Sequence, residues 1–178
     1  MFGNLLILVI FLKKKEKKVF QEKTVLILIS GLDISTEITV LGEFYQKWQK
    51  QRKSELQTQV IWLPVIESGT NWDKCIHKFK ELRRLMPWYT IEEPWLIKEE
   101  VVSYIEQEWE YAGKTILVAL DSSGKVQSKN ALDMLWMWGE PFLDFTESEE
   151  LSLWQKYTNV LELIFGRTGH TIDFNSVS

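Results

Sequence analysis

The sequence predicts an α/β domain with a mixed central sheet and helices on both faces. Three observations carry that expectation. Thr24–Ser30 (TVLILIS), Gln59–Val65 (QVIWLPV) and Thr115–Leu120 (TILVAL) are continuous apolar runs of strand length, the pattern of strands covered on both sides. Segments with helical apolar spacing separate them, as right-handed crossovers between parallel strands require. After the third run, Asp121-Ser122-Ser123-Gly124 reads as a turn and Lys125–Gln127 as a short antiparallel return, so a hairpin at one edge makes the sheet mixed.

Each element has its own local cause. Gly31 follows the first strand, and Ser35 or Thr36 is placed to cap a helix with Glu37 in its first turn. Ile38, Leu41, Tyr45 and Trp48 give that helix one apolar face, and the charged stretch Lys47–Glu55 ends it in a loop. Pro64 has no N–H, so it marks an end, an edge or a bulge of the second strand. Asn71 or Asp73 opens the next helix, whose stripe is Ile76, Phe79, Leu82 and Met86 and whose stop is Pro87. Ile97–Trp109 reads as a further helix through Val101, Ile105 and Trp109. Ser128 or Asn130 starts a helix through Leu132, Leu135 and Trp136 that Gly139 ends. Thr146-Glu147-Ser148-Glu149 is a capping box, and Leu151, Trp154, Leu161 and Ile164 complete the last helix. The order is β–α–β–α–α–β–β–α–α, which is the thioredoxin-type arrangement.

Composition narrows the function classes. The 178 residues, 45% of them hydrophobic and 26% charged, suit one soluble domain that buries a core without metals or disulfides. A net charge of -4 argues against a nucleic-acid partner, because phosphate neutralisation needs a basic surface. One cysteine, Cys75, allows neither an internal disulfide nor a CxxC, and it fits a reducing compartment better than a secreted one. Phe2–Leu12 is nearly all apolar and Lys13–Lys18 (KKKEKK) is basic. The apolar run is shorter than the roughly 20 residues a spanning helix needs, and it lacks the basic start and cleavage site of a signal peptide. A buried strand or an artefactual start is the expected reading, with a membrane or signal segment as the alternative. The expected organisation is an N-terminal segment 1–18, a thioredoxin-like domain 19–165 and a polar, frayed tail 166–178.

Five segments resemble a known family: TVLILISGLDIS (Thr24–Ser35), VIWLPVIE (Val60–Glu67), FKELRRLMPWYTI (Phe79–Ile91), ILVALDSSGKV (Ile116–Val126) and NALDMLWMWGEPFLDFT (Asn130–Thr146). Together they resemble the thioredoxin-like central domain of sieve element occlusion proteins, the phloem filament proteins of plants, over about Lys13–Phe165. MPW followed by a strand and LDSSGKV also looks like tryparedoxins and nucleoredoxins, the redox relatives of this fold. The first resemblance implies a structural, non-catalytic role in phloem filament assembly, phloem development and sieve-tube plugging. It also implies a location in the cytoplasm of sieve elements and self-association or association with other sieve element occlusion subunits. No cofactor is implied. The second resemblance keeps open a thiol oxidoreductase or redox-sensing relative. Members of the first family usually carry a helical domain before this one and another domain after it, so the resemblance implies a fragment, a truncated paralogue or a partial gene model. Both families usually have proline where this chain has Thr115. A cis bond there is in doubt, since without proline it costs about 2.5–4 kcal/mol.

The residues themselves weigh against thiol chemistry. In a thioredoxin the two cysteines follow the first central strand at a helix N-terminus, where the dipole favours the thiolate. The matching stretch here is Gly31-Leu32-Asp33-Ile34-Ser35-Thr36, in which Asp33 and Ser35 read as caps. Cys75 and His77 are two residues apart on a helix, so their side chains diverge by about 200° and cannot form a nucleophile–base pair. His170 lies in the polar tail. No catalytic, cofactor-binding or metal-ligating residue is assigned. Asp121–Gly124 lacks the acidic spacing of a calcium loop. Glu147, Glu149 and Glu150 are not assigned as calcium ligands, although forisomes of the resembled family respond to calcium. Trp88, Tyr89, Trp136 and Trp138 are the candidate partner-docking aromatics. Packing in the core or on the sheet is the ordinary reading for each, and a flat aromatic patch for a partner is the other. Trp136 and Trp138 cannot both face the core of one helix, which leaves one of them available to a partner.

Overall fold

In this computed structural model the described residues are 20, 23–50, 58–66, 71–139 and 145–165, with Leu96 and 161–165 described by backbone alone. The apolar and basic N-terminal segment, most of the loop after the first helix and the tail 166–178, His170 included, lie outside them. The elements are β1 (Thr24–Ser30), α1 (Ser35–Lys50), β2 (Thr58–Pro64), α2 (Trp72–Leu85), β3 (Tyr89–Thr90), a 3₁₀ turn (Pro94–Leu96), α3 (Glu99–Glu108), β4 (Ile116–Leu120), β5 (Val126–Ser128), α4 (Ala131–Trp138) and α5 (Glu147–Phe165).

The strands form one sheet in the order β3-β2-β1-β4-β5. β1 runs parallel to β2, and β2 to β3, while β4 is antiparallel to both β1 and β5. β1 is therefore central, and its burial follows from that place: Val25 to Ile29 are at most 1% exposed. Alternation along the strands sends Leu26, Leu28, Val60, Trp62, Leu117 and Ala119 to one core and Val25, Ile27, Ile29, Ile61, Leu63, Val118 and Leu120 to the other. Helices α1, α2 and α4 cover the first core, and α3 with Phe20 covers the second. Helices thus pack on both faces, and the arrangement is thioredoxin-like.

The ends of the elements correct the sequence reading in four places. α1 begins at Ser35, and the Ile38 N–H donates to the Ile34 carbonyl at 3.0 Å. Ser35 and Thr36 therefore lie inside the first turn instead of capping it. Ile34, 1% exposed, is what fixes the chain's entry into this helix. α3 starts two residues later than Ile97, because Pro94–Leu96 forms a tighter turn first. The pair β3 was not anticipated at all; two residues are too few for a period to show, and Ile61 and Trp62 supply the pairing. Ser128 serves as a local acceptor, its Oγ taking the Asn130 N–H at 2.9 Å.

Other ends match their expected causes. The Asn71 side chain accepts the Lys74 N–H at 3.2 Å and caps α2. Gly139 closes α4 in the left-handed region (φ 62°), its N–H donating to the Leu135 carbonyl at 3.0 Å. The Thr146 Oγ1 accepts the Glu149 N–H at 3.2 Å at the start of α5. In the β4–β5 turn, the Asp121 carboxylate accepts from the Ser123 hydroxyl at 2.6 Å, the Ser123 and Lys125 N–H groups at 2.9 Å and the Gln127 side chain at 2.8 Å. Slight burial pushes this carboxyl up, but the four donated hydrogen bonds outweigh it and hold the group below the ordinary carboxylate range.

Candidate functional site

In a thioredoxin fold, redox chemistry is done where the central strand hands over to its helix. Here that place is Ser30 and the turn Gly31–Ile34 leading into α1. Ser30 is fully buried. Its Oγ accepts the Trp62 indole N–H at 2.9 Å and donates to the Gly31 carbonyl at 2.9 Å. Trp62 is itself fully buried and lies at 5.4 Å and 24° against the Phe79 ring. The strand end beneath the turn is thus filled by a polar pair whose hydrogen bonds are met and by two stacked rings, while Gly31 and Leu32 stay half-buried above it. Asp33 and Ser35 are exposed beside it. Thr115, in the place of the usual proline, directly precedes β4, and no cis peptide occurs among the described residues. Nothing in this turn can attack a disulfide.

Cys75 sits elsewhere, buried on α2. His77 points to solvent and comes within 3.5 Å of Glu81 one turn on. The two side chains are not brought together, as their spacing on a helix dictates. No group of three or more His, Cys, Asp or Glu side chains suited to a metal occurs among the described residues.

The four candidate docking aromatics separate into two pairs. Trp88 is a correction: at 6% exposure it belongs to the core, packed edge-on against Tyr45 at 5.7 Å. Its indole N–H is buried with no hydrogen-bond partner. Burial also raises the Tyr45 hydroxyl above its ordinary pKa, with the nearby Tyr89 adding to the shift. Tyr89 is half-buried on β3, where its ring meets Phe20 at 5.0 Å. Trp136 and Trp138 lie on α4. Ala131, Leu132, Met134 and Leu135 turn inward to the core, which leaves Trp136 48% exposed and Trp138 half-buried.

Trp138 meets a second set of rings, of which the apolar stripe read from the sequence includes Trp154 but not Tyr157. It packs edge-on against Trp154 at 5.2 Å and Tyr157 at 5.9 Å, both on α5. α5 presents Leu151, Trp154, Tyr157 and Val160 largely to solvent, each at least 41% exposed. Between α4 and α5 lies an open groove of about 350 Å³. Its apolar part is made by Met134, Trp136, Met137, Trp138 and Trp154, and Asp133 and Glu150 bring carboxylates to it. The signal that could have found this site is the threefold spacing of Leu151, Trp154, Tyr157 and Val160, a face with no counterpart in the sheet.

Comparison with known proteins identifies the lineage. Sieve Element Occlusion B of Arabidopsis thaliana is 35% identical over 161 residues, covering 85% of this chain and 22% of that protein. Sieve Element Occlusion A of the same plant is 35% identical over 159 residues, covering 87% and 18% respectively. This chain is a homologue of the sieve element occlusion proteins. It spans about a fifth of the length of these relatives. No protein-family profile matches it. Among solved structures, native tryparedoxin I from Crithidia fasciculata aligns with a TM-score of 0.51 at 20% identity, over 67% of this chain and 76% of that one. Tryparedoxin I from Leishmania major gives 0.51 at 21% identity, over 69% and 80%. At such identities the likeness is one of fold. The sieve element occlusion homologue has a thioredoxin-like fold and a single cysteine, so it carries no CxxC. Among the described residues, no helix is long and apolar enough to cross a membrane.

Proposed function

We propose that this sieve element occlusion homologue is a non-catalytic structural domain that acts by association, with itself or with other subunits of the family. In this reading it contributes to phloem filament assembly, phloem development and the plugging of sieve tubes, in the cytoplasm of sieve elements. The observation that carries it is the cysteine-free turn after β1. Gly31–Thr36 stands in the place where this fold keeps its dithiol and holds no cysteine, and the one cysteine lies buried on another helix. Kinship with the Arabidopsis proteins supports the biological setting. The exposed ring face of α4 and α5 supports the mode of action, with Trp136 and Trp138 as the docking aromatics.

Reduction of insulin by dithiothreitol tests the reading. Added chain is expected to leave the rate at its uncatalysed value. Turnover that Cys75→Ser abolishes would instead establish the thiol oxidoreductase and overturn the structural role.

A further inference from the structure

We propose that the α4–α5 groove receives the apolar-then-basic segment Phe2–Lys18 of a second copy of this chain. The inference rests on the reading of the domain as one that acts by association. The groove has two chemical parts. Its apolar part is tryptophan and methionine, and methionine adapts to irregular aliphatic side chains. Both ionisable groups lining it, Asp133 and Glu150, are acidic. Neither is in an ion pair among the described residues, and the first turn of α5 adds Glu147 and Glu149 nearby. An occupant must therefore carry aliphatic or aromatic side chains followed closely by positive charge. This chain contains one such stretch: FGNLLILVIFL, Phe2–Leu12, followed directly by Lys13, Lys14, Lys15, Lys17 and Lys18.

Reach decides between the chain's own segment and a neighbour's. Phe20 is held against Tyr89 of edge strand β3, in the core that α3 covers. The groove lies beyond α4, which packs in the opposite core with β4 residues Leu117 and Ala119. β3 and β4 are three strand spacings apart, roughly 14 Å, and a helix layer about 10 Å thick adds to that. The seven residues 13–19 span at most about 24 Å fully extended. With Lys15 seated at the groove's carboxylates only residues 16–19 remain as a tether, about 14 Å, and a path around the edge of the sheet and over the helices is longer than that, so the occupant comes from a second molecule. The donating and receiving surfaces then differ, which makes the contact heterologous. Such contacts propagate as open filaments unless the rotation closes a ring.

Sedimentation velocity of the full chain over a concentration series tests the assignment. Asp133→Lys with Glu150→Lys is expected to raise the concentration for association about tenfold. Lys13→Glu, Lys14→Glu and Lys15→Glu together should do the same, and combining both sets should restore most of the loss. Circular dichroism checks that the substitutions leave the fold intact. A chain that stays monomeric at every concentration overturns the proposal, as does the absence of rescue in the combined variant. Association that survives both reversals overturns the groove assignment and leaves the structural role standing, since the disulfide assay decides that role separately. Binding of the wild-type chain to anionic phospholipid vesicles, lost on reversing the lysines while groove variants associate normally, would make the segment a membrane anchor instead.

Discussion

Two aromatic regions of this molecule use the same residue type in opposite ways. At the end of β1, Trp62 is completely buried, stacked on Phe79, and its N–H is received by Ser30. Between α4 and α5, Trp136 and Trp154 keep 48% and 41% of their surface open, and Trp138 links the two helices through edge-on rings. The first region is packed and saturated, so it holds the fold together and offers nothing to a substrate. The second is apolar and incompletely covered by the described residues, and it is the face on which the proposed association rests. The buried rings belong to the core, and the open ones form the face proposed for association.

The largest expected effect breaks the first region. Trp62→Ala empties a closed site and is expected to cost about 3–5 kcal/mol, read as a lower midpoint in urea unfolding. Ser30→Ala keeps the ring but strands its buried N–H, and about 1–3 kcal/mol should be lost by the same measurement. The Asp121 turn, which leads through β5 to α4, sharpens the comparison through pH. Its carboxyl is held below the ordinary range in the folded chain. Its stabilisation is therefore fully present above the unfolded value of about 3.9 and is lost as pH falls through the lower folded value. Asp121→Asn should flatten that acid limb in thermal unfolding between pH 5 and pH 2. The smallest expected effect on stability comes from the second region. Trp136→Ala should change unfolding by no more than about 0.5 kcal/mol, while it weakens association in sedimentation. A large loss of stability there would make this face part of the core and dissolve the contrast.

Much of the fold was legible because its causes are local. The runs that became β1, β2 and β4 are long enough for their hydrophobicity to define them, and Asn71, Thr146 and Gly139 act at the ends where their chemistry predicts. β3 was not legible: two residues carry no period, and their pairing with Ile61 and Trp62 is a tertiary fact. Ser35 was misplaced as a cap because the buried Ile34 decides the start of α1. The site divided in the same way. The missing dithiol and the divergence of Cys75 from His77 follow from counting and helix geometry. Trp88 takes the core packing that was its ordinary reading and drops out as a docking candidate, because an apolar ring next to a proline reads alike in a core and on a surface. The meeting of Trp138 with Trp154 and Tyr157 needed the helix-to-helix approach that only the folded chain has.

Among the described residues the sheet ends in strands of two residues at β3 and three at β5. An edge that short gives an incoming backbone almost no ladder to extend, the same device by which soluble proteins avoid cross-β growth. Polymers of this domain would therefore be held by side chains from intact folded units. They could come apart by loosening ring and charge contacts, without unzipping any strand.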